Sequence, residues 1–291
     1  MSSAATITLP GGFWLDGVRH QEAELWPLTG DDETFSLETG ESLLPAQRTT
    51  ALLARCLTSL GPLTPVTPEA VRHLTVGDRE ALLLHLRRLT LGDHLLCVLS
   101  CPEPDCGEKM DLELAVSDLL LPPYPRMQER YETVVTENGV ATRVRFRPPT
   151  GADQEAAAGL ALSDPQAAAD LVLRRCVESV IAEDDDDVPI EDWPPAVARQ
   201  IPAIMAELDL HAELVLNLTC PVCGHAFSAI FDTAAYFFQE LANRTKHLYR
   251  EVHLLAFYYH WSEAEIMAMT ASKRHRYLHL LAEALAEERH R

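Results

Sequence analysis

The chain has 291 residues, 47% of them hydrophobic, and a formal charge of −20 at pH 7, so it is long enough to bury one large core or two modest ones. The acidic excess argues against a nucleic-acid-binding role, because phosphate binding draws its affinity from Lys and Arg side chains that displace counterions. No apolar run approaches the roughly 20 residues needed to cross a bilayer, and the longest candidate, residues 82–99, is broken by Arg87, Arg88, Asp93 and His94.

Residues 1–17 lack both the basic residues and the long apolar run of a signal peptide, so a cytoplasmic location is expected. Turn signals at Pro10-Gly11-Gly12, Asp16-Gly17 and Thr29-Gly30 predict short strands forming a β element over residues 1–45, closed by Pro45. A helix is predicted over 47–60, followed by a connector in which Pro62, Pro65 and Pro68 forbid one continuous helix. Over 78–91, Leu82, Leu83, Leu86 and Leu89 fall on one face while Arg79, Glu80, Arg87 and Arg88 fall on the other, and Gly92 ends the pattern. Asn138-Gly139 between alternating runs at 131–135 and 140–146 predicts a hairpin, and helices follow at 152–162, 165–181 and 195–208. The acidic run 183–187 lacks the ligand spacing and glycine of a calcium loop and reads as a solvated linker.

The last segment is expected to be helical. A long helix over 233–259 carries Tyr236, Phe237, Leu241, Leu248, Val252, Leu255 and Tyr259 as an apolar stripe, suited to a core or a partner surface. Ser262 and Glu265 form a capping box, with Trp261 placed to pack on Ile266. A final helix is predicted over 272–288. Lys273, Arg274 and Arg276 sit near its start, where cations oppose the helix dipole, a placement that hints at a partner, although ordinary solvated charge is the favoured reading. The domain division expected from these signals is 1–45, 46–122, 123–210, 211–232 and 233–291. The expected fold class is α+β: mostly helical, with small antiparallel β elements, a bipartite four-cysteine zinc ribbon and a C-terminal helical region.

Two cysteine clusters carry the strongest chemical signal: Cys101-Pro-Glu-Pro-Asp-Cys106-Gly107 and Cys220-Pro-Val-Cys223-Gly224. Each has Pro after its first Cys and Gly after its second, the pattern of a tight knuckle whose amides turn toward a bound metal. Strand-like runs flank both, at 95–100 and 110–116 and at 212–219 and 225–231, so two hairpins are expected to bring Cys101, Cys106, Cys220 and Cys223 into one structural zinc site per chain. Four thiolates leave no open position for a catalytic water. A disulfide pair and unpaired surface thiols are the competing readings. Cys56, Cys97 and Cys176 lie in apolar segments and are expected to be buried thiols.

Patterns for an enzyme are lacking: the sequence has no glycine-rich phosphate cradle, no G-x-S-x-G elbow and no H-E-x-x-H helix. His247, His253 and His260 are six and seven positions apart, which does not bring ligands onto adjacent helical turns.

Four stretches together resemble the baseplate hub assembly chaperones of contractile-tailed phages and of phage-like contractile injection systems. They are Leu9-Pro-Gly-Gly12 running to Leu28-Thr-Gly30, residues 74–84 with Leu89-Thr-Leu-Gly-Asp93, the paired knuckles, and residues 253–261 before the capping box. The resemblance implies a non-enzymatic factor that binds baseplate or tail hub proteins, as a chaperone or as a minor component that stays in the particle. It implies neither nucleic-acid nor membrane partners and leaves the oligomeric state open. A zinc-ribbon nucleic-acid-binding or regulatory protein is the alternative, and a zinc hydrolase a third.

Overall fold

A computed structural model of the chain describes residues 4–38, 40–182 and 188–289, so the acidic run 183–187 lies outside the described residues. The chain opens with a hairpin of β1 (Ala5–Leu15) and β2 (Val18–Leu25), then α1 (Gly30–Glu38), α2 (Pro45–Cys56) and β3 (Leu57–Leu60). Next come α3 (Pro68–Arg72), α4 (Val76–Leu91), a second hairpin of β4 (His94–Ser100) and β5 (Lys109–Ala115), and the short α5 (Val116–Leu119). The series then begins again with β6 (Tyr131–Glu137), β7 (Val140–Phe146), α6 (Gly151–Ala161), α7 (Pro165–Cys176), β8 (Val177–Ile181), α8 (Pro195–Leu208), β9 (Val215–Thr219) and β10 (Ala226–Ile230). Three helices finish the chain: α9 (Thr233–Tyr259), α10 (Glu263–Met267) and α11 (Ala271–Arg289). This is the expected α+β class, mostly helical with four small antiparallel sheets.

Three elements differ from the sequence reading for one local reason each. The helix expected over 47–60 stops at Cys56 and the one over 165–181 stops at Cys176, and in both the chain enters a strand with no loop. Leu57 and Val177 turn to extended backbone at φ −79° and ψ near 120°, so the four or five strand residues are too few to interrupt a helical pattern. The segment read as wholly β also contains α1, whose start is fixed by a side chain rather than by periodicity. Asp32 Oδ2 accepts from both the N–H and the hydroxyl of Thr29, at 3.0 and 2.7 Å.

The two series are structural repeats of one unit. The sheets β1-β2-β3 and β6-β7-β8 have the same order and antiparallel sense. Both hairpins turn on two positive-φ residues, Asp16-Gly17 and Asn138-Gly139, which matches the twist of the flanking strands. In both, the register shifts at the same place, with Leu25 opposite Leu57 in one and Phe146 opposite Val177 in the other. The Thr29–Asp32 clamp recurs as Thr150–Asp153, with hydrogen bonds of 2.9 Å from the amide and the hydroxyl. The end of the next helix closes the clamp: Arg55 Nε lies 2.8 Å from Asp32 and Arg175 Nε 2.8 Å from Asp153. In the second unit Arg147 adds a bidentate pair at 2.6 and 3.0 Å. Burial raises the Asp153 carboxyl, and the arginine and threonine donors outweigh it, bringing the group down to about 2.

A second correspondence links α3–α4 to α10–α11. Thr67 and Ser262 cap the short helices, and Val71 and Ile266 anchor them, both fully buried. Thr75 and Thr270 precede the long helices, and Arg79 and Arg274 are buried one turn later. Each pair docks head to head on a repeat unit: Thr75 bridges Thr150, and Thr270 bridges Thr29.

One core lies between the first sheet, α2, α4 and the start of α9, around Leu9, Leu53, Leu82 and Phe237; a second lies between the other sheet, α7 and α8, around Val144, Phe146, Cys176 and Ile201. The α9 stripe is therefore core in its first half, and its second half packs Leu248, Val252 and Leu255 against Ile266 and Met267. The capping box is present, and Trp261 packs against the cluster that contains Ile266 and stacks on Tyr259 at 4.7 Å. Arg79 and Arg87, read from the sequence as solvent-facing, are 1% and 4% exposed. Arg79 donates to Thr50 and the Ala46 carbonyl at 2.8 Å, and Arg87 makes a bidentate pair with Glu240 that ties α4 to α9. Cys56 and Cys176 are buried as expected, while Cys97 is only half-buried.

A buried polar junction joins the two units. Asp78 Oδ1 accepts from the amides of Gly11 and Gly12 at 2.7 and 3.2 Å, and Asp209 accepts from Gly77 N–H and the Tyr124 hydroxyl at 2.9 and 3.0 Å. A side chain at Gly77 would run into the Asp209 carboxylate. Tyr124 also accepts from His211 N–H, and His211 Nε2 accepts from Leu121 N–H. Burial, with neighbouring Asp209, pushes the Asp78 carboxyl up to about 7 despite its donors.

Two outcomes follow from these carboxylates. Asp153→Ala leaves Arg147 and Arg175 unpaired and should lower the unfolding free energy by about 2 to 4 kcal/mol in urea titration, less than for a fully dry pair because both arginines are partly exposed. Asp78 acts in the opposite pH sense. Its native form holds a proton that the unfolded chain releases near pH 4, so it destabilises the native state progressively from pH 4 to 7, by at most about 1.4 kcal/mol per pH unit, and no further above 7. The wild type should therefore lose stability relative to Asp78→Asn across that window, and parallel stability curves for the two proteins would contradict this protonation state.

Candidate metal centre

The knuckles are built by the two hairpins that end the repeat units. Strand pairing runs from His94 opposite Ala115 up to Ser100 opposite Lys109, which leaves Cys101 and Cys106 at the tip. In the second hairpin Thr219 pairs with Ala226, leaving Cys220 and Cys223 at its tip. Each tip closes with a backbone bond across its base, from Cys101 N–H to Glu108 O at 2.8 Å and from Cys220 N–H to His225 O at 2.9 Å. Gly107 and Gly224 follow with φ of +58° and +74°, a conformation that a side chain would strain. Cys220 follows Cys101 by 119 positions and Asp153 follows Asp32 by 121, so the long spacing between the clusters is the length of one repeat.

The four sulfurs meet. All lie within 4.8 Å of one another, with Cys101 Sγ 3.7 Å from Cys223 Sγ and Cys106 Sγ 3.8 Å from Cys220 Sγ. These separations are far beyond the roughly 2.05 Å of a disulfide. Those of 3.7 and 3.8 Å match the edge of a tetrahedron whose centre is about 2.3 Å from each sulfur, about 3.8 Å, as a four-thiolate site requires. His225 Nδ1 lies 3.4 Å from Glu103 and links one knuckle to the other.

The electrostatics suit a cation. Amides of Cys223 and Val222 point at Cys220 and draw its thiol down to about 7, whereas burial and then the three surrounding sulfurs push Cys101 up to about 12. The cluster favours one thiolate and resists several, so four thiolates together require a positive ion among them. A soft set of four sulfur donors is that of a closed site. Among the described residues this is the one group of His, Cys, Asp and Glu side chains close enough to hold a metal ion. His247, His253 and His260 are exposed along α9 and at its end, and converge on nothing.

Around the base of the ribbon, Leu84, Leu95, Val116, Leu214 and Phe231 form an apolar seam that fixes the hairpins to the helices. The faces away from it leave Leu96 and Val98 exposed on β4 and Val215 and Ile230 on β9 and β10. A second concentration of buried ionisable groups, Asp78, Tyr124, Asp209 and His211, is hydrogen-bonded within the chain itself and acts as a joint. Sequence reasoning missed this joint because Tyr124, Asp209 and His211 become neighbours of Asp78 only when the repeats fold together. The signal that was present is the Thr-x-x-Asp motif at Thr29, Thr75 and Thr150. No helix among the described residues is long and apolar enough to cross a membrane.

No curated protein sequence and no solved structure matches the chain. One protein family does: the model described as T4 bacteriophage base plate protein matches residues 49–239, roughly two thirds of the chain. The matched span runs from α2 to the first turns of α9 and includes both knuckles and the joint residues Asp78, Tyr124, Asp209 and His211. The chain belongs to the T4 bacteriophage base plate protein family.

Proposed function

We propose that the protein is a non-enzymatic assembly factor or minor component of the baseplate hub of a phage-like contractile tail or injection system, held in shape by one structural zinc ion. The observation that carries this reading is the family match across both knuckles, taken with a cysteine cluster that closes between them. Cys101, Cys106, Cys220 and Cys223 would hold the zinc, which neutralises the thiolates and clamps the ends of the two repeat units together. A closed four-sulfur site offers a substrate no position, which favours a binding role over hydrolysis. A charge of −20 disfavours nucleic acid and keeps an unassembled subunit dispersed in the cytoplasm before it meets the particle. Exposed apolar groups at Phe257 and Tyr258 on α9 and on the outer ribbon faces suit contact with protein partners.

The metal and the assembly role are tested separately. Purified protein should contain one zinc per chain by elemental mass spectrometry. Cys106→Ser and Cys220→Ser should each lose it and melt at least roughly 10 °C lower, since structural zinc is worth several kcal/mol or more. Metal-free protein with an unchanged melting curve would remove the zinc from the proposal. For the role, quantitative mass spectrometry of purified sheathed particles should find the protein at a fixed ratio to hub subunits if it is a component. If it is a chaperone, it should be missing from finished particles, and deleting its gene should stop particle formation. Normal particles after deletion would overturn both versions.

A further inference from the structure

The repeats make it possible to compare one surface with its occupied counterpart. In the second unit, the groove beside the start of α4 is filled by the chain. The Pro10-Gly11-Gly12 stretch of β1, which bulges there with Gly12 at φ +87°, crosses it and donates two amides to Asp78, and Asp209 seats on Gly77. Asp78, Ala81 and Leu82 are consequently buried. In the first unit, the equivalent groove lies beside the start of α11, lined by Trp26, Lys273, Arg276, Tyr277 and Leu280, and encloses about 640 Å³. Lys273, Arg276 and Leu280 are exposed there, the last at 48%.

The charge at the key position is reversed. Counting from the shared threonine, Lys273 stands where Asp78 stands and Arg276 where Ala81 stands. Asp78 accepts hydrogen bonds from its occupant, whereas Lys273 and Arg276 only donate, so the groove on α11 calls for an occupant that supplies acceptors. Neither cation has a hydrogen-bonded or ion-paired partner for its side chain among the described residues. The third cation of the cluster, Arg274, is excluded from this role, since it is fully buried and paired with Glu33 and Glu251 at 2.7 and 3.0 Å. Two unpaired cations at a helix start, in a chain with 44 acidic side chains, form a local reversal of the molecule's charge.

We propose that the groove between Trp26 and the first turns of α11 docks a carboxylate-bearing segment of another baseplate protein. This rests on the baseplate-binding role proposed above and assigns that role a surface. The indole of Trp26 and the Tyr277 and Leu280 side chains bury the segment's apolar positions, and Lys273 and Arg276 meet its carboxylates.

The test uses the full-length chain with purified baseplate subunits of its own particle. Wild type should bind at least one subunit, with affinity falling as salt is raised. Lys273→Glu with Arg276→Glu should weaken that binding roughly tenfold or more, with a melting curve that does not fall, because both side chains are exposed and unpaired and carboxylates suit a helix start. The conservative pair Lys273→Arg with Arg276→Lys should retain binding. A photo-crosslinker replacing Leu280 should capture an acidic stretch of the bound subunit. Undiminished binding by the charge-reversed protein, or a crosslink only to a second copy of this chain, would overturn the groove while leaving the assembly role intact. Failure of the wild type to bind any baseplate subunit would overturn both.

Discussion

Everything in this molecule is organised by a carboxylate held at a helix start. Asp32 and Asp153 each sit one turn into a helix, take the amide and hydroxyl of a threonine, and receive the arginine that ends the following helix. That one side chain fixes where the hairpin stops, where the helix begins and how the next helix returns. The arginine is followed by a cysteine whose carbonyl accepts from the residue at the end of the hairpin, Trp26 in one unit and Arg147 in the other. The strand that completes the sheet then starts without a loop. A buried carboxylate is stable only when its lone pairs are filled and its charge is opposed, so the clamp either forms as a whole or not at all.

Used twice, the clamp yields two similar units, and the remaining elements join them. The joint around Asp78 and Asp209 seats the first unit's hairpin against the second unit's linkers. Arg87 and Glu240 draw α9 onto α4. At the far end, each unit contributes one cysteine knuckle, and the four sulfurs lie within 4.8 Å of one another. A metal bound there would hold the ends of the two repeats together. This would be a different task from that of a short zinc finger, in which the metal organises a single small loop.

The same duplication explains why the two units differ in what they expose. The second is covered by chain on the side where α4 begins, and the first is bare where α11 begins. A subunit built to meet other proteins gains from such asymmetry: one surface completes the fold and its counterpart remains open. Strong net negative charge keeps such a protein from associating indiscriminately, while a confined positive groove selects for a partner by sign.

The sequence by itself determined the local pieces. Periodicity located α4 and α9; Asn138-Gly139 set the β6–β7 turn; Ser262 and Glu265 marked α10; and Pro and Gly around the cysteines identified all four members of the cluster. These signals are legible because each is carried by residues near one another in the chain, whose φ values, caps and spacing act locally. The tertiary structure alone decided the rest. It made Arg79, Arg87 and Arg274 interior, since a guanidinium is buried when distant acceptors face it, and no helical pattern reports those acceptors. It cut two helices short to supply edge strands, because pairing with β2 and β7 overrode a helical pattern over four or five residues. It brought Tyr124, Asp209 and His211 to Asp78 and superposed two units whose likeness lies in hydrogen bonds and register more than in identical letters. Contacts between residues a hundred positions apart are set by the packing of whole elements, and that information exists only once the chain has folded.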